Sequence, residues 1–91
     1  MNTSVKTAKV YDEIIDFIAA GTTPQSVIDF RLSETAQERL EDLIYGAKNN
    51  ELTKEDKQEL DRFLTLEHIM TLAKAKAHKL LLTNAGTKQN A

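Results

Sequence analysis

The chain has 91 residues, with 14 acidic and 12 basic side chains, a net charge of −2 and no cysteine. This length fits one domain with a modest core, and the lack of cysteine excludes disulfides and thiolate metal sites. A chain this short buries only about 60–65% of its unfolded surface, so oligomerisation is the remaining common source of stability. The sequence has neither the apolar segment of a signal peptide nor a membrane span, so we expect a cytoplasmic protein without membrane contact.

An apolar stripe with helical spacing lies near the start of the chain. It consists of Val10, Ile14, Phe17 and Ile18, with Tyr11 and Ile15 beside it. This pattern predicts a helix from Lys6 to Ala20, and Gly21 is typical of a helix end. Thr23 before Pro24 is a helix-start signal, because the threonine caps free amides and the proline needs no donor. We therefore expect a short second helix over Pro24–Phe30.

The third predicted helix has the most regular pattern in the chain. Ser33 is suited to cap it, and the helix is predicted over Glu34–Lys48. The apolar positions, which repeat at helical spacing, are Ala36, Leu40, Leu43, Ile44 and Ala47. The opposite face is mostly acidic, as expected of a helix that packs on a core with one side only.

The fourth predicted helix is long. Thr53 and Asp56 approximate a capping box, and no proline or glycine follows before Gly86. A helix over Lys54–Leu82 would measure about 43 Å at 1.5 Å per residue, whereas a compact domain of this length is about 31 Å across. The sequence thus predicts an all-α bundle of three to four helices within residues 1–83, with a long C-terminal helix and a disordered polar tail at 84–91.

The last helix is apolar over more than one stripe. Residues that alternate in steps of four and three form a heptad pattern: Phe63, Leu66, Met70, Ala73, Ala77 and Leu80. Further apolar residues widen it: Leu60, Leu64, Ile69, Leu72 and Leu81. The earlier helices are too short to cover this surface along its length, which indicates a partner. We expect a homodimer with the heptad face at the subunit contact, and periodicity leaves open whether it is parallel or antiparallel.

No residue cluster predicts catalysis, a cofactor or a metal. His68 and His78 lie about 15 Å apart along one helix and point about 280° apart around it, so they cannot share a site within one chain. Neither follows an acidic residue at the spacing of helical di-metal sites. The acid pair Glu55 and Glu59 is expected to be solvated charge. We therefore expect that the protein is not an enzyme.

Charge is segregated along the chain. Residues 10–70 carry a net charge of −8, whereas the two ends together carry +6. The acidic side chains predicted to meet a basic partner surface are Glu34, Glu38, Glu41, Asp42, Glu55 and Glu59. The third helix would be repelled by phosphates in a helix-turn-helix arrangement. The basic residues Lys74, Lys76 and Lys79 are a possible nucleic-acid contact, although complementing the helix dipole is the favoured interpretation.

Two blocks of the sequence, AAGTTPQSVIDFRLSETAQERLEDLI and ELTKEDKQELDRFLTLEHIMTLAKAKA, resemble a family of short, uncharacterised bacterial proteins common in cyanobacteria. The similarity covers about residues 10–82, and the residues that carry it are Phe30, Arg31 and Ser33, then Leu66, Glu67 and His68. Leu32 departs from the proline that family-like sequences carry. The resemblance implies a helical fold and suggests an antitoxin-like role as antidote to another protein, such as a small nuclease.

The sequence therefore predicts a helical protein–protein interaction module, homodimeric, with a protein partner of unidentified kind that it regulates or neutralises. The alternative is a helical dimer that binds nucleic acid through the basic part of its last helix. Its binding would weaken steeply as salt rises, because phosphate contacts release counterions.

Overall fold

The computed structural model describes residues 8–90, with side chains described through residue 83, and within that range the chain forms four helices and no strand. The helices are α1 (Asp12–Ala19), α2 (Pro24–Asp29), α3 (Glu34–Lys48) and α4 (Lys54–Asn90). The all-helical fold with a long C-terminal helix is confirmed.

Side-chain caps begin three of the helices where the sequence predicts them. Thr23 Oγ1 accepts a hydrogen bond from the backbone N–H of Ser26 (3.1 Å), and Ser26 Oγ accepts one from the N–H of Thr23 (2.8 Å), which completes a capping box before α2. Ser33 caps α3 and Thr53 caps α4 by the same use of a side-chain oxygen. Local capping chemistry thus fixes these three starts.

The first helix begins later than predicted. Residues 8–11 are not helical, whereas the apolar spacing predicts a helix from Lys6; residues 6–7 lie outside the described residues. The N–H of Lys9 donates to the Asp12 carboxylate (2.7 Å), and the N–H of Val10 donates to Glu59 (2.7 Å). Val10 fits the apolar pattern of α1 but lies outside the helix, in a segment that Glu59 of α4 binds. Local spacing in the sequence cannot predict this contact.

The last helix extends past its predicted end at Leu82. Its backbone continues to Asn90, through the segment predicted to be a disordered tail. Gly86 costs a helix only about 1 kcal/mol relative to alanine, and proline, which stops helices more strongly, does not occur there. Ala91 and the side chains of residues 84–90 lie outside the described part of the chain.

The end of α3 is a Schellman motif. Asn50 takes a left-handed conformation (φ 56°), the N–H of Glu51 donates to the carbonyl of Gly46 (2.8 Å), and the N–H of Asn50 donates to that of Ala47 (3.3 Å). Gly46 is buried, and a Cβ at this position would lie 2.6 Å from Leu52 Cδ2. The glycine therefore lets the loop after α3 fold back against the helix.

The core lies where the short helices meet α4. Its buried side chains are Val10, Ile14, Leu43, Leu60, Phe63 and Met70. Both α2 and α3 pack on α4, and Phe17 of α1 stacks on Phe30 with ring centroids 4.6 Å apart. Of the predicted apolar stripe of α3, Leu43 is fully buried, whereas Ile44 remains exposed. The helix α4 is thus the common surface on which the rest of the chain folds.

The molecule is elongated because α4 exceeds the width of the body. The principal extents are 57 × 34 × 19 Å, and the long dimension matches a helix of 37 residues, about 55 Å at 1.5 Å per residue. None of the helices between residues 8 and 90 is long and apolar enough to cross a lipid bilayer.

Candidate functional site

The heptad face of α4 lies mainly inside the chain. Phe63, Met70 and Ala77 are 3, 6 and 4% exposed, respectively, whereas Leu80 is 40% exposed. Leu66 and Ala73 are half-buried. Phe63 and Met70 belong to the same core cluster as residues of α1 and α3, so the intrachain core already covers the centre of the predicted subunit contact. Any contact between two copies along α4 must therefore use the exposed end of this face at Leu80 or positions beside the face.

A groove between α1 and α4 exposes apolar side chains. Two adjoining depressions of about 420 and 120 Å³ form it, and Leu66 borders both. Its exposed apolar residues are Ile15, Ile18 and Ile69, at 44, 50 and 50% exposure. We call this surface the α1/α4 groove; its border residues are Tyr11, Ile15, Ile18, Asp61, Arg62, Leu66, Ile69 and Ala73.

The sequence contains the signal for this groove. Ile15 lies beside the apolar stripe of α1, and Ile69 widens the heptad pattern of α4. Both residues flank the main apolar stripe of their helix. An interpretation with one buried stripe per helix therefore places them at the edge of the core. The structure brings them together on one surface, since each borders a depression that Leu66 also borders.

A second exposed stripe lies on the later part of α4. Leu72, Lys76, Lys79 and Leu80 have the spacing i, i+4, i+7 and i+8, which places them on one helical face. All four residues are exposed, and Leu72 reaches 58%. We call this set the leucine-lysine stripe. Two of the three lysines predicted as a nucleic-acid contact therefore lie between exposed leucines.

Lys74 has a different role from the other two lysines. Its Nζ donates hydrogen bonds to the backbone carbonyls of Ile28 (3.0 Å) and Phe30 (2.7 Å). These carbonyls lie at the C-terminal end of α2, where helices leave acceptors unpaired and where positive charge is favourable. The side chain is half-buried. Lys74 thus fastens α2 to α4, and the predicted basic cluster reduces to Lys76 and Lys79.

The predicted acidic partner surface divides in the same way. Glu34, Glu38, Glu41 and Asp42 are exposed on α3, and Glu55 is exposed near the start of α4. Glu59, by contrast, is only 3% exposed. It therefore offers almost no surface to a partner, and the acidic surface consists of the other five residues.

Glu59 is the buried centre of a partly exposed ionic cluster that joins three parts of the chain. Arg39 of α3 donates from Nε to Glu59 Oε2 (3.2 Å) and from Nη2 to Oε1 (2.8 Å). Arg39 Nη2 also reaches Asp56 Oδ1 (3.2 Å), and the N–H of Val10 donates to Glu59 Oε2 (2.7 Å). The spacing in the sequence suggests an ion pair between Arg39 and Asp42 on the same helix. In the structure Arg39 donates instead to carboxylates of α4.

The pKa of Glu59 reflects this cluster. Burial alone raises the pKa of the carboxyl, because it disfavours the charged form. The hydrogen bonds from Arg39 and from the Val10 N–H, together with the charges of Arg39 and Lys9, oppose that effect and hold the pKa below its ordinary value of 4.5. Glu59 is therefore a structural anion at neutral pH.

The histidines remain apart from these surfaces. His68 and His78 are both exposed, and neither borders the α1/α4 groove. A third depression of about 320 Å³ lies between the loop after α2 and α4, floored by Ile14, Phe63 and Met70 and rimmed by Arg31 and other polar residues. Within residues 8–83 no group of three or more histidine, aspartate or glutamate side chains is placed to hold a metal ion.

Comparison of the chain with protein-family models, with curated proteins and with solved structures finds no match in any of the three.

Proposed function

We propose that the chain is a helical protein–protein interaction module that forms a homodimer and regulates or neutralises a partner protein. The observation that carries this proposal is the α1/α4 groove, where Ile15, Ile18 and Ile69 are each about half exposed around two adjoining depressions. Grooves of this kind, apolar in the centre with charged residues at the rim, are typical of protein contacts.

The size of the chain also supports the proposed self-association. A body built on a core cluster of six buried residues has little apolar burial to offset its conformational entropy. If a second copy covered the three exposed isoleucines of the α1/α4 groove, each Å² of apolar area buried would stabilise the dimer by about 25 cal/mol. The α1/α4 groove, through which the two copies recognise each other, is therefore also the surface that stabilises the dimer.

The acidic face of α3 is the second interaction surface of the proposal. Glu34, Glu38, Glu41 and Asp42 are exposed on one helix, on a side of the molecule that does not border the α1/α4 groove. Opposite charge on a partner raises association rates and selects among partners. A basic partner, of the kind that itself binds nucleic acid, fits this surface.

The test of self-association is the variant Ile69→Glu. A carboxylate in the centre of an apolar contact must lose its water on association, so the dissociation constant is expected to rise at least about tenfold. Native mass spectrometry and sedimentation velocity across a concentration series measure it. Because Ile69 is 50% exposed, the isolated chain should keep its circular dichroism spectrum.

The matched control is Tyr45→Glu, which introduces the same charge at a residue of α3 that is 67% exposed and lies away from the groove. Its dissociation constant should match that of the wild type. A wild-type chain that remains a monomer at every concentration would contradict the proposal, as would an Ile69→Glu dimer of unchanged affinity.

Direct nucleic-acid binding is the rival function, favoured by the exposure of Lys76 and Lys79. It predicts that the wild type binds a short DNA duplex with an affinity that falls steeply with salt, and that Lys76→Gln with Lys79→Gln abolishes this binding. The engagement of Lys74 with α2 leaves two of the three predicted lysines for phosphates, which is few for such a site.

A further inference from the structure

The leucine-lysine stripe and the α1/α4 groove of one chain complement each other. They lie on different parts of the molecule: the groove borders α1, whereas the stripe continues along α4 to Leu80. We propose that the stripe of each copy occupies the α1/α4 groove of the other, so that the homodimer is a reciprocal, antiparallel pair. This inference rests on the self-association proposed above and specifies its geometry.

The apolar contents of the two surfaces match. The groove presents the exposed side chains of Ile15 and Ile18, and the stripe presents Leu72 and Leu80, which are 58 and 40% exposed. An amphipathic helix that lies in an apolar groove with anchors at i and i+8 is a recurring mode of recognition. A second α4 is therefore an occupant of suitable shape, and the same chain supplies it.

The charges of the two surfaces also match. Residues 72–83 contain three lysines and no acid, and two of these lysines, Lys76 and Lys79, belong to the stripe. Asp61 borders the groove directly, next to Arg62. Docking the stripe in the groove of the second copy therefore brings its lysines towards the carboxylate of Asp61.

These contacts determine the orientation. An antiparallel pair with its two-fold axis near residue 70 sets Lys79 of each copy opposite Asp61 of the other, because the two positions are equally far from residue 70. The exposed Ile69 then lies close to the axis and meets its own copy. Leu80 lies near Ile15, which borders the same depression as Asp61. A parallel pair would instead place the lysines of both copies side by side.

Cysteine cross-linking tests this geometry cleanly, because the chain has no native cysteine. Ile15→Cys and Leu80→Cys proteins are mixed and treated with a short bismaleimide, which tolerates more displacement than a disulfide. We expect the Cys-to-Cys link between the two different variants to dominate over links between identical ones. Tyr45→Cys mixed with Leu80→Cys is the control and should give little product.

The outcomes separate the two proposals. A dimer that links Leu80→Cys to itself, or that gives no link between the two variants, overturns the antiparallel docking and leaves self-association standing. A chain that is a monomer throughout overturns both.

Charge exchange gives an independent measure. Asp61→Lys and Lys79→Asp should each weaken the dimer about two- to fivefold, the range for a partly exposed ion pair. The double variant Asp61→Lys with Lys79→Asp should recover wild-type affinity, because the pair is restored in reversed order. Sedimentation velocity measures all four proteins at low salt. A double variant no tighter than the weaker single variant would overturn the assignment of this pair.

Discussion

Glu59 shows how a buried charge can hold a small fold together. Its carboxylate accepts three hydrogen bonds, two from Arg39 and one from the Val10 backbone, so both of its oxygens are paired although only 3% of the residue is exposed. Burying a charge without such partners would cost several kcal/mol. Because the donors come from α3 and from the segment before α1, the carboxylate connects both to α4.

The variant Glu59→Gln is expected to lose about 1–3 kcal/mol of unfolding free energy at pH 7, since it removes charged hydrogen bonds while keeping the side-chain shape. The folded pKa of Glu59 lies below its ordinary value, so its stabilisation is present above the unfolded pKa and is lost as the pH falls through the folded pKa. Urea unfolding of both proteins at several pH values from 7 downward measures the difference.

The gap between wild type and Glu59→Gln should therefore shrink as the pH falls below about 4.5, the ordinary value for this group. Glu55→Gln is the matched control, because Glu55 is exposed one turn earlier on the same helix. A gap that stays constant down to the acid limit would show that the carboxylate of Glu59 contributes no charge-dependent stability.

Residue-level prediction succeeds where the partners are local. Ser33 and Thr53 cap helices because the amides they bind are three residues away, and sequence spacing shows this directly. The hydrogen-bond partners of Arg39 cannot be predicted from spacing in this way. Its acceptors lie 17 and 20 residues further along, and a local alternative, Asp42, occupies the spacing that a single helix favours. Only tertiary packing decides between them.

At the scale of elements, α2 is too short to be stable by itself. It has six residues, fewer than an isolated helix requires in water, and none of them is fully buried. Its start is held by the capping box of Thr23 and Ser26, and its end by the ammonium group of Lys74. Both ends are therefore closed by side chains, one local and one from α4.

Lys74→Met should lower the unfolding free energy by about 1–2 kcal/mol, because it keeps the apolar stem and removes the two charged hydrogen bonds to the end of α2. Lys57→Met is the matched control, because Lys57 is an exposed lysine of the same helix outside the leucine-lysine stripe, and it should change the unfolding free energy by less than about 0.5 kcal/mol. Urea unfolding followed by circular dichroism measures both. Equal values for the two variants would contradict the role of Lys74.

The helix boundaries divide according to what sets them. The starts of α2, α3 and α4 and the end of α3 agree with the sequence, since caps and turn residues act locally. The observed start of α1 differs from the prediction, because the hydrogen bond to Glu59 holds Val10 outside the helix. The observed end of α4 also differs from the prediction. The polar composition after Thr83 suggests a tail, whereas a helix continues as long as no strong stop signal occurs.

At the scale of the whole molecule, the heptad pattern identifies the important face of α4 but not its neighbour. Phe63 and Met70 have the spacing of a subunit contact, and they pack instead against the helices of their own chain. Intramolecular packing has the advantage, because the segments are already joined and no translational entropy is lost. The surface left for a partner consists of the flanking positions, Ile69 and Leu72 among them.

The proposal that the acidic face binds a partner can be tested by a direct experiment. The tagged chain is purified from its native lysate with and without nuclease, and retained proteins are identified by mass spectrometry. A basic protein that stays bound after nuclease treatment, and that is lost when Glu38 and Asp42 are changed to lysine, is the expected result. Retained material that disappears entirely with nuclease would favour the rival, binding through Lys76 and Lys79.

The position of α4 at the end of the described helices affects how the chain is made. Helices α2 and α3 pack on α4, and Ile14 of α1 shares its core cluster, although α4 is synthesised after all three. Until then α2, with six residues, has neither its packing surface nor the lysine that closes its end. Folding of the short helices must therefore wait until α4 has been synthesised, and until then the net negative charge of residues 10–53 opposes aggregation.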